Sequence, residues 1–238
     1  MSGFRGIFRR EYKSYFDSPI AYVYIAVFLV VVNWFFFRDF FLAEQASLRS
    51  LFGMMPLYFL FFVPAVAMRL WSEERKLGTV ELLLTLPVKD WEVVIGKYLA
   101  GLSLIALSLA LTFPLVITVG MLGDPDMGSI VASYIGCLLM GAAYLAIGFF
   151  VSSLTENQIV AFLLGITACF AFFIIGESMV LLSTPAPLVP FFRWLGLGTH
   201  FQSIARGVID SRDILYYASL IGVFLFLNVR SVAERRWA

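Results

Sequence analysis

The chain has 238 residues, of which 61% are hydrophobic, 17% aromatic and only 14% charged, with a formal net charge of +1. That composition lies outside the range of water-soluble globular domains, and the lack of a basic excess excludes a nucleic-acid partner. The bulk of the chain must therefore find its solvent in lipid.

Crossing a hydrocarbon core of roughly 30 Å takes about 20 apolar residues in a helix. Six runs meet or approach that length: Pro19–Phe37, Leu51–Met68, Tyr98–Leu122, Ser129–Val151, Gln158–Leu182 and Ile214–Val229. The last is short, but Tyr216 and Tyr217 at one end and a snorkelling Arg230 at the other lengthen it. With their flanks, the spans are expected at 19–37, 51–70, 92–122, 129–151, 158–182 and 214–230 of a single domain covering 1–238. Alternating β-barrel patterning is absent. The expected fold class is an all-α membrane protein with six transmembrane helices. Around them are expected an N-terminal interfacial helix, a cytoplasmic coupling helix and an outer helical hairpin before the last span. Cys137 and Cys169 both fall inside apolar runs, so no disulfide is expected. The first run lacks a small-residue cleavage pattern and reads as an uncleaved start helix.

Cationic residues decide orientation. With the N-terminus inside, inner segments carry Arg5, Arg9, Arg10, Lys13, Arg69, Arg75, Lys76, Lys89, Lys97, Arg230, Arg235 and Arg236. Outer segments carry only Arg38, Arg49, Arg193, Arg206 and Arg212. Twelve against five of the 17 cations favours both termini in the cytoplasm.

In chain order, Phe4, Phe8, Tyr12 and Tyr15 recur at helical spacing with Arg5, Arg9 and Lys13 alongside, which predicts an amphipathic helix over 4–16. It reads either as an elbow supporting a docking surface or as a basic flank that only sets topology. The segment 72–91 then breaks the run of apolar spans. Arg69, Glu73, Glu74, Arg75 and Lys76 prolong the second span as a charged stalk, and Gly78 is placed to end it. Thr79 can cap a short helix Val80–Leu86 with Glu81 in its first turn, Pro87 stops it, and Asp90 can cap the next helix. Two turns of helix need outside support in water. The order of cap, stop and recap predicts a rigid knob for a soluble partner; a helix lying on lipid is the other reading.

Farther along, Ala161, Gly165 and Cys169 repeat every four residues, a small-residue stripe that permits close helix packing within the chain or against a second subunit. Gly136, Gly141 and Gly148 smooth the fourth span in the same way. Pro185, Pro187 and Pro190 exclude one continuous helix over 183–213, which is expected as a re-entrant or lid segment on the outer surface. Its Phe201, Ile204, Ala205 and Val208 predict a short amphipathic helix ending near Asp210.

Ionisable groups inside the apolar runs are scarce. Glu177 is the one acidic residue there, five residues from the outer end, and His200 is expected in a capping or solvated role. With no carboxylate or broken helix evident near the midplane, energy for any transport must arrive from outside the membrane. The chain has no GxxxxGK[ST] loop, HExxH or paired-cysteine pattern. Ser178 with His200 is the one constellation resembling an intramembrane serine protease, without the glycine that should follow the serine.

The layout resembles ABC-2 permeases over the whole chain. Glu73–Leu84 (EERKLGTVELLL), Ser152–Val160 (SSLTENQIV) and His200–Asp213 (HFQSIARGVIDSRD) are similar to the permease of the gliding-motility-associated ABC transporters. The resemblance implies an exporter subunit of the bacterial inner membrane, without catalysis or cofactor of its own. Its partners would be two cytoplasmic ABC ATPases carrying ATP and magnesium, a second permease half and an auxiliary subunit with an extracytoplasmic domain. The ATPases would press on Thr79, Val80, Glu81, Leu82, Leu83, Leu84, Thr85 and Leu86, with a smaller contact at Ser152, Ser153, Thr155, Glu156 and Asn157. A scaffold that recruits a cytoplasmic protein and transports nothing is the alternative of a different class. The spans suit a lipid-linked, polymeric or peptide cargo equally well.

Overall fold

Backbone amides in lipid find no water to bond, so each apolar run must satisfy its own N–H and C=O groups, and a helix does so within one segment. The computed structural model describes residues 3–43, 47–79 and 88–235, and all regular structure among them is helical. The helices are α1 (Gly3–Asp17), α2 (Ile20–Ala43), α3 (Arg49–Lys76), α4 (Asp90–Ala110), α5 (Phe113–Leu122) and α6 (Met127–Leu154). They are followed by α7 (Gln158–Ile174), α8 (Ser178–Ser183), a 3-10 turn (Ala186–Leu188), α9 (Val189–Leu195), α10 (Leu197–Ala205) and α11 (Ser211–Arg235). Five stretches among the described residues are long and apolar enough to cross a membrane: Ile20–Leu42, α3, the pair α4–α5, α6 and Ser211–Glu234. The sixth expected span, α7, is apolar but only 17 residues long.

Burial orders these helices. In the most apolar stretch of α6, 78% of residues are buried, against 22% for α2 and 17% for α11, so α6 is the axis of the bundle and the other two are its flanks. Small residues let neighbours reach that axis. A Cβ at Gly148 would lie 2.7 Å from Ala67 Cβ, and one at Gly141 would lie 3.1 Å from the Phe59 ring. The stripe Ala161, Gly165 and Cys169 is buried inside the chain, with Gly165 facing Pro64 and Gly148, and Cys169 Sγ 3.7 Å from the Tyr144 carbonyl oxygen. It therefore lies against α3 and α6 and is not free for a second subunit.

Several elements depart from expectation. The third span is not one helix to Leu122: it breaks at Leu111–Thr112, because Pro114 lacks an N–H and its ring would clash with the carbonyl of Ala110. Twenty-one residues of α4 rise roughly 30 Å, which puts this break near the far end of the bundle and away from its middle. The fifth span stops at Ile174 and not at Leu182. There Gly176 crosses Gly196 backbone to backbone, so closely that a Cβ at Gly176 would sit 2.8 Å from Gly196 Cα. Glu177 consequently lies at a turn outside any spanning helix.

The segment 183–213 is not simply a surface lid. Leu197, Phe201 and Ile204 of α10 are buried, with Phe201 and Ile204 packed over Gly136 of α6. The helix ends at Ala205, earlier than Asp210, in a turn where Gly207 takes a positive φ of 92° and leaves Val208 exposed. His200 is clasped and not solvated. Its Nδ1 lies 2.6 Å from Asp213 Oδ1, its Nε2 donates to the Trp194 carbonyl at 2.8 Å, and its ring stacks on Tyr216 at 4.0 Å. Both nitrogens are thus committed away from Ser178, which removes the protease constellation.

The Gly176–Gly196 crossing is the tightest backbone approach described, and a methyl there must displace main chain. Gly196→Ala should destabilise the protein by about 1–3 kcal/mol, the usual range for overpacking. Gly53→Ala, where an added Cβ meets nothing within 4 Å, should not destabilise. Thermal melting of the two variants in detergent distinguishes them.

Candidate functional site: a polar node at one end of the bundle

A lysine near the start of an apolar helix ordinarily turns its ammonium to water. Lys97, in the second turn of α4, does the opposite and is only 1% exposed. Its Nζ lies 3.1 Å from Glu11 Oε1 on α1 and 2.9 Å from Glu74 Oε1 on α3, and 5.2 Å from the centre of the Trp71 ring. Arg10 approaches Glu74 at 3.6 Å, so two cations face two carboxylates and the group is formally neutral. At these distances each close pair attracts by about 5 kcal/mol for an effective dielectric near 20, and desolvation offsets much of it. Removing one member leaves an uncompensated buried charge. Within the cluster, Glu74 Oε2 is buried with no hydrogen-bond partner among the described residues.

Local sequence explains how three helices meet there. Gly96 accepts Ile7 so closely that a Cβ would lie 2.9 Å from Ile7 Cγ2, and this brings Glu11 one turn later to Lys97. The aromatic residues Phe4, Phe8, Tyr12 and Phe16 form a ladder of rings along α1, half-buried, while Arg5, Arg9 and Lys13 are exposed. Tyr15 is buried, and that burial, followed by the Glu11 carboxylate, pushes its phenol above its ordinary value.

A second layer joins α3 to α6 and α11. Ser152 Oγ donates to the Met68 carbonyl at 2.9 Å and lies 3.2–3.3 Å from the Ser72 and Trp71 amides. Trp71 Nε1 donates to Asn228 Oδ1 on α11 at 3.0 Å, and its ring stacks on Phe149 at 5.7 Å. Ser153 Oγ reaches Ser231 Oγ at 3.2 Å, while the Arg75 guanidinium bonds the Ser153 carbonyl at 2.9 Å and Glu156 at 3.2 Å. Helix α1, the end of α3, the start of α4, the α6–α7 turn and the end of α11 are therefore gathered at one end of the bundle.

The residues expected to dock a partner divide accordingly. Ser152 and Ser153 are buried at 0% and 3% exposure, so they hold the node and cannot form an outer surface. Thr155 is half-buried and accepts the Asn157 amide, and Asn157 caps α7 through the Ile159 and Val160 amides. Glu156 and Asn157 remain exposed beside Arg75. Gly78 has a positive φ of 68° where α3 ends, as the stalk requires. Thr79 Oγ1 donates back to the Glu74 carbonyl at 3.3 Å. Val80, Glu81, Leu82, Leu83, Leu84, Thr85 and Leu86 lie outside the described residues. Helix α4 is capped one residue earlier than Asp90: the Lys89 amide donates to Glu92 Oε2 at 3.2 Å, with Asp90 in the first turn. No cluster of three or more histidine, cysteine or carboxylate groups able to hold a metal occurs among the described residues.

The node's centre was invisible to sequence reasoning, which counted Lys97 only as a topology charge and passed over Asn228. Each left a faint trace: Lys97 sits beyond a turn already begun by Asp90 and Glu92, and Asn228 interrupts the apolar run of α11.

The family model described as ABC-2 family transporter protein matches residues 16–229, a span that holds the node residues of α3, α4, α6 and α11 apart from Ser231 but not those of α1 before Phe16. The probable multidrug ABC transporter permease YbhR of Escherichia coli strain K12 is 27% identical over 144 residues, 58% of this chain and 37% of that protein. The protein of the same name from E. coli O157:H7 aligns equally. The chain thus spans little more than a third of the length of these relatives.

Lys97→Met leaves Glu11 and Glu74 facing each other without their shared cation and should cost about 3–5 kcal/mol of stability. Adding Glu11→Gln and Glu74→Gln to it should restore most of that loss, because the cost comes from unpaired charge. Melting curves of the single and triple variants measure both effects.

Proposed function

Since the chain belongs to the ABC-2 transporter family, we propose that it is the transmembrane permease subunit of an ATP-driven exporter, closest to the gliding-motility-associated branch. On this reading it works with two cytoplasmic ABC ATPases, which hold the ATP and magnesium, a second permease half and an auxiliary membrane subunit with an extracytoplasmic domain. It sits in a bacterial inner membrane with both termini in the cytoplasm, the orientation that the cation count favours. The chain itself catalyses nothing.

The observation that carries the reading is the position of the node. The stalk residues Glu74 and Arg75 lie four and three residues before Gly78, where the segment leading to Thr79–Leu86 begins. Glu74 is bonded to α4 and α1 through Lys97, and Arg75 to the α6–α7 turn through Ser153 and Glu156. A partner that displaces the 79–86 segment therefore works on a lever whose other contacts are charge pairs, buried at Lys97 and exposed at Glu156, and hydrogen bonds in four further helices. A solvated flank would dissipate such a push; a dry, charge-paired joint passes it on.

Coexpression with the neighbouring genes, detergent pull-down and mass spectrometry test the assembly. We expect recovery of a P-loop ATPase that is lost when Thr79–Leu86 is replaced and weakened by Glu81→Arg. The triple variant Lys97→Met, Glu11→Gln, Glu74→Gln, which removes the buried Lys97 ammonium together with both of its carboxylate partners, should keep the ATPase bound but lower cargo-dependent ATP turnover. A chain recovered without any ATPase would overturn the proposal, and an ATPase bound without ATP-dependent flux would mark a scaffold.

A further inference from the structure

At the end of the bundle away from the node, a cleft of about 1210 Å3 opens between the start of α3, the start of α6, the end of α7 and α10. Its size exceeds the roughly 300–1,000 Å3 of ordinary small-molecule pockets, enough for a multi-ring or long-chain ligand. Phe52, Phe170, Phe173 and Phe201 contribute aromatic walls. Into this apolar space projects Glu177. The turn forced by the Gly176–Gly196 crossing brings its Oε1 over Gly198, where an added Cβ would lie 3.2 Å from that oxygen and 3.2 Å from the Phe173 ring. The side chain is half-buried and makes no hydrogen bond or ion pair among the described residues.

Charge at the mouth sharpens the point. Arg49 and Arg206 line it together with Asp124 and Asp126, two cations against two carboxylates. Among the described residues Glu177 is the fifth ionisable group of the lining, which then carries a formal charge of −1. A carboxylate drawn into an aromatic cavity loses hydration, and a cation restores it twice over, by a charge-assisted hydrogen bond and by contact with ring faces.

We propose that this cleft binds a lipophilic molecule bearing one protonated amine, with the Glu177 carboxylate accepting from the ammonium and the four phenylalanines enclosing the apolar body. Binding here needs neither ATPase nor transport, so the site stands independently of coupling at the node.

The test uses the purified full-length chain in detergent with rhodamine 6G as a fluorescent cationic probe, followed by anisotropy. Decylammonium, decanol and decyl sulfate share one tail and differ in head group, and serve as competitors. Decylammonium should displace the probe at a concentration about tenfold lower than either of the others, as expected for one charge-assisted hydrogen bond. Glu177→Gln should erase that preference without lowering the melting temperature, since the side chain holds nothing in the structure. Gly53 lines the cleft and has open space beyond its Cα, so Gly53→Phe should narrow the cleft and weaken probe binding. The proposal is overturned if the parent chain shows no saturable binding of rhodamine 6G, if decyl sulfate or decanol competes as well as decylammonium, or if Glu177→Gln keeps the preference. Failure in this assay leaves recovery of the ATPase untouched, so the two readings fail separately.

Discussion

An ammonium group withdrawn from water is tolerable only where carboxylates replace its hydration at close range, and Lys97 imposes that condition on everything around it. Its two partners come from α1 and α3, so neither helix can move far from α4 without exposing an unpaired charge to an apolar interior. Hydrophobic packing alone would give a graded response to displacement. A buried ion triad gives a steep one, because Coulomb attraction is strong at 3 Å and the burial of Lys97 leaves little solvent access to screen a wider gap. The neighbouring serine, tryptophan and asparagine bonds extend the same condition to α6 and α11.

Between its two ends the bundle is held by a different kind of contact. Lipid is as apolar as leucine, so helices in it do not associate for the sake of burial and depend instead on close approach. Gly141, Gly148 and Gly165 supply that approach around α6, and Pro64 of α3 packs directly on Gly165. The wide lipid-ready faces of α2 and α11 have no such contacts; Trp34, for example, is 71% exposed.

What the sequence disclosed and what it concealed follow from this division. Apolar length is a local property, so the presence of five to six apolar helices, the amphipathic α1 with its Phe4–Phe8–Tyr12 spacing and the Gly78 stop were legible. The early end of α7 was not, because it is caused by Gly196, twenty residues downstream of Gly176, and no window on either glycine shows the other. Lys97 was hidden for the same reason: its burial depends on Gly96 admitting Ile7 from a helix some ninety residues earlier. Ser152 and Ser153 looked like loop chemistry because polar residues at the end of a span usually face water, whereas here the stalk of α3 covers them. His200 looked solvated because Asp213 and Tyr216, which clasp it, lie on another helix.

The node and the cleft occupy opposite ends of the bundle, yet the same two helices build both. Helix α3 runs from Phe52 in the cleft wall to Glu74 in the node, and α6 from Asp126 at the cleft mouth to Ser152 in the node. Each has 28 residues, roughly 42 Å of helix at 1.5 Å per residue. Their stiffness differs. The interior of α6 contains no proline, and its apolar stretch is the most buried of the bundle. Helix α3 carries Pro56 and Pro64, each of which removes one intrahelical hydrogen bond and lowers the cost of bending. Pro64 lies against the Gly148–Gly165 contact, midway between the two sites. On the proposed coupling, a displacement delivered to the α3 end at Glu74 would meet a rigid axis in α6 and a compliant point in α3, and the difference would be expressed where they diverge again, at Phe52 and the walls of the cleft.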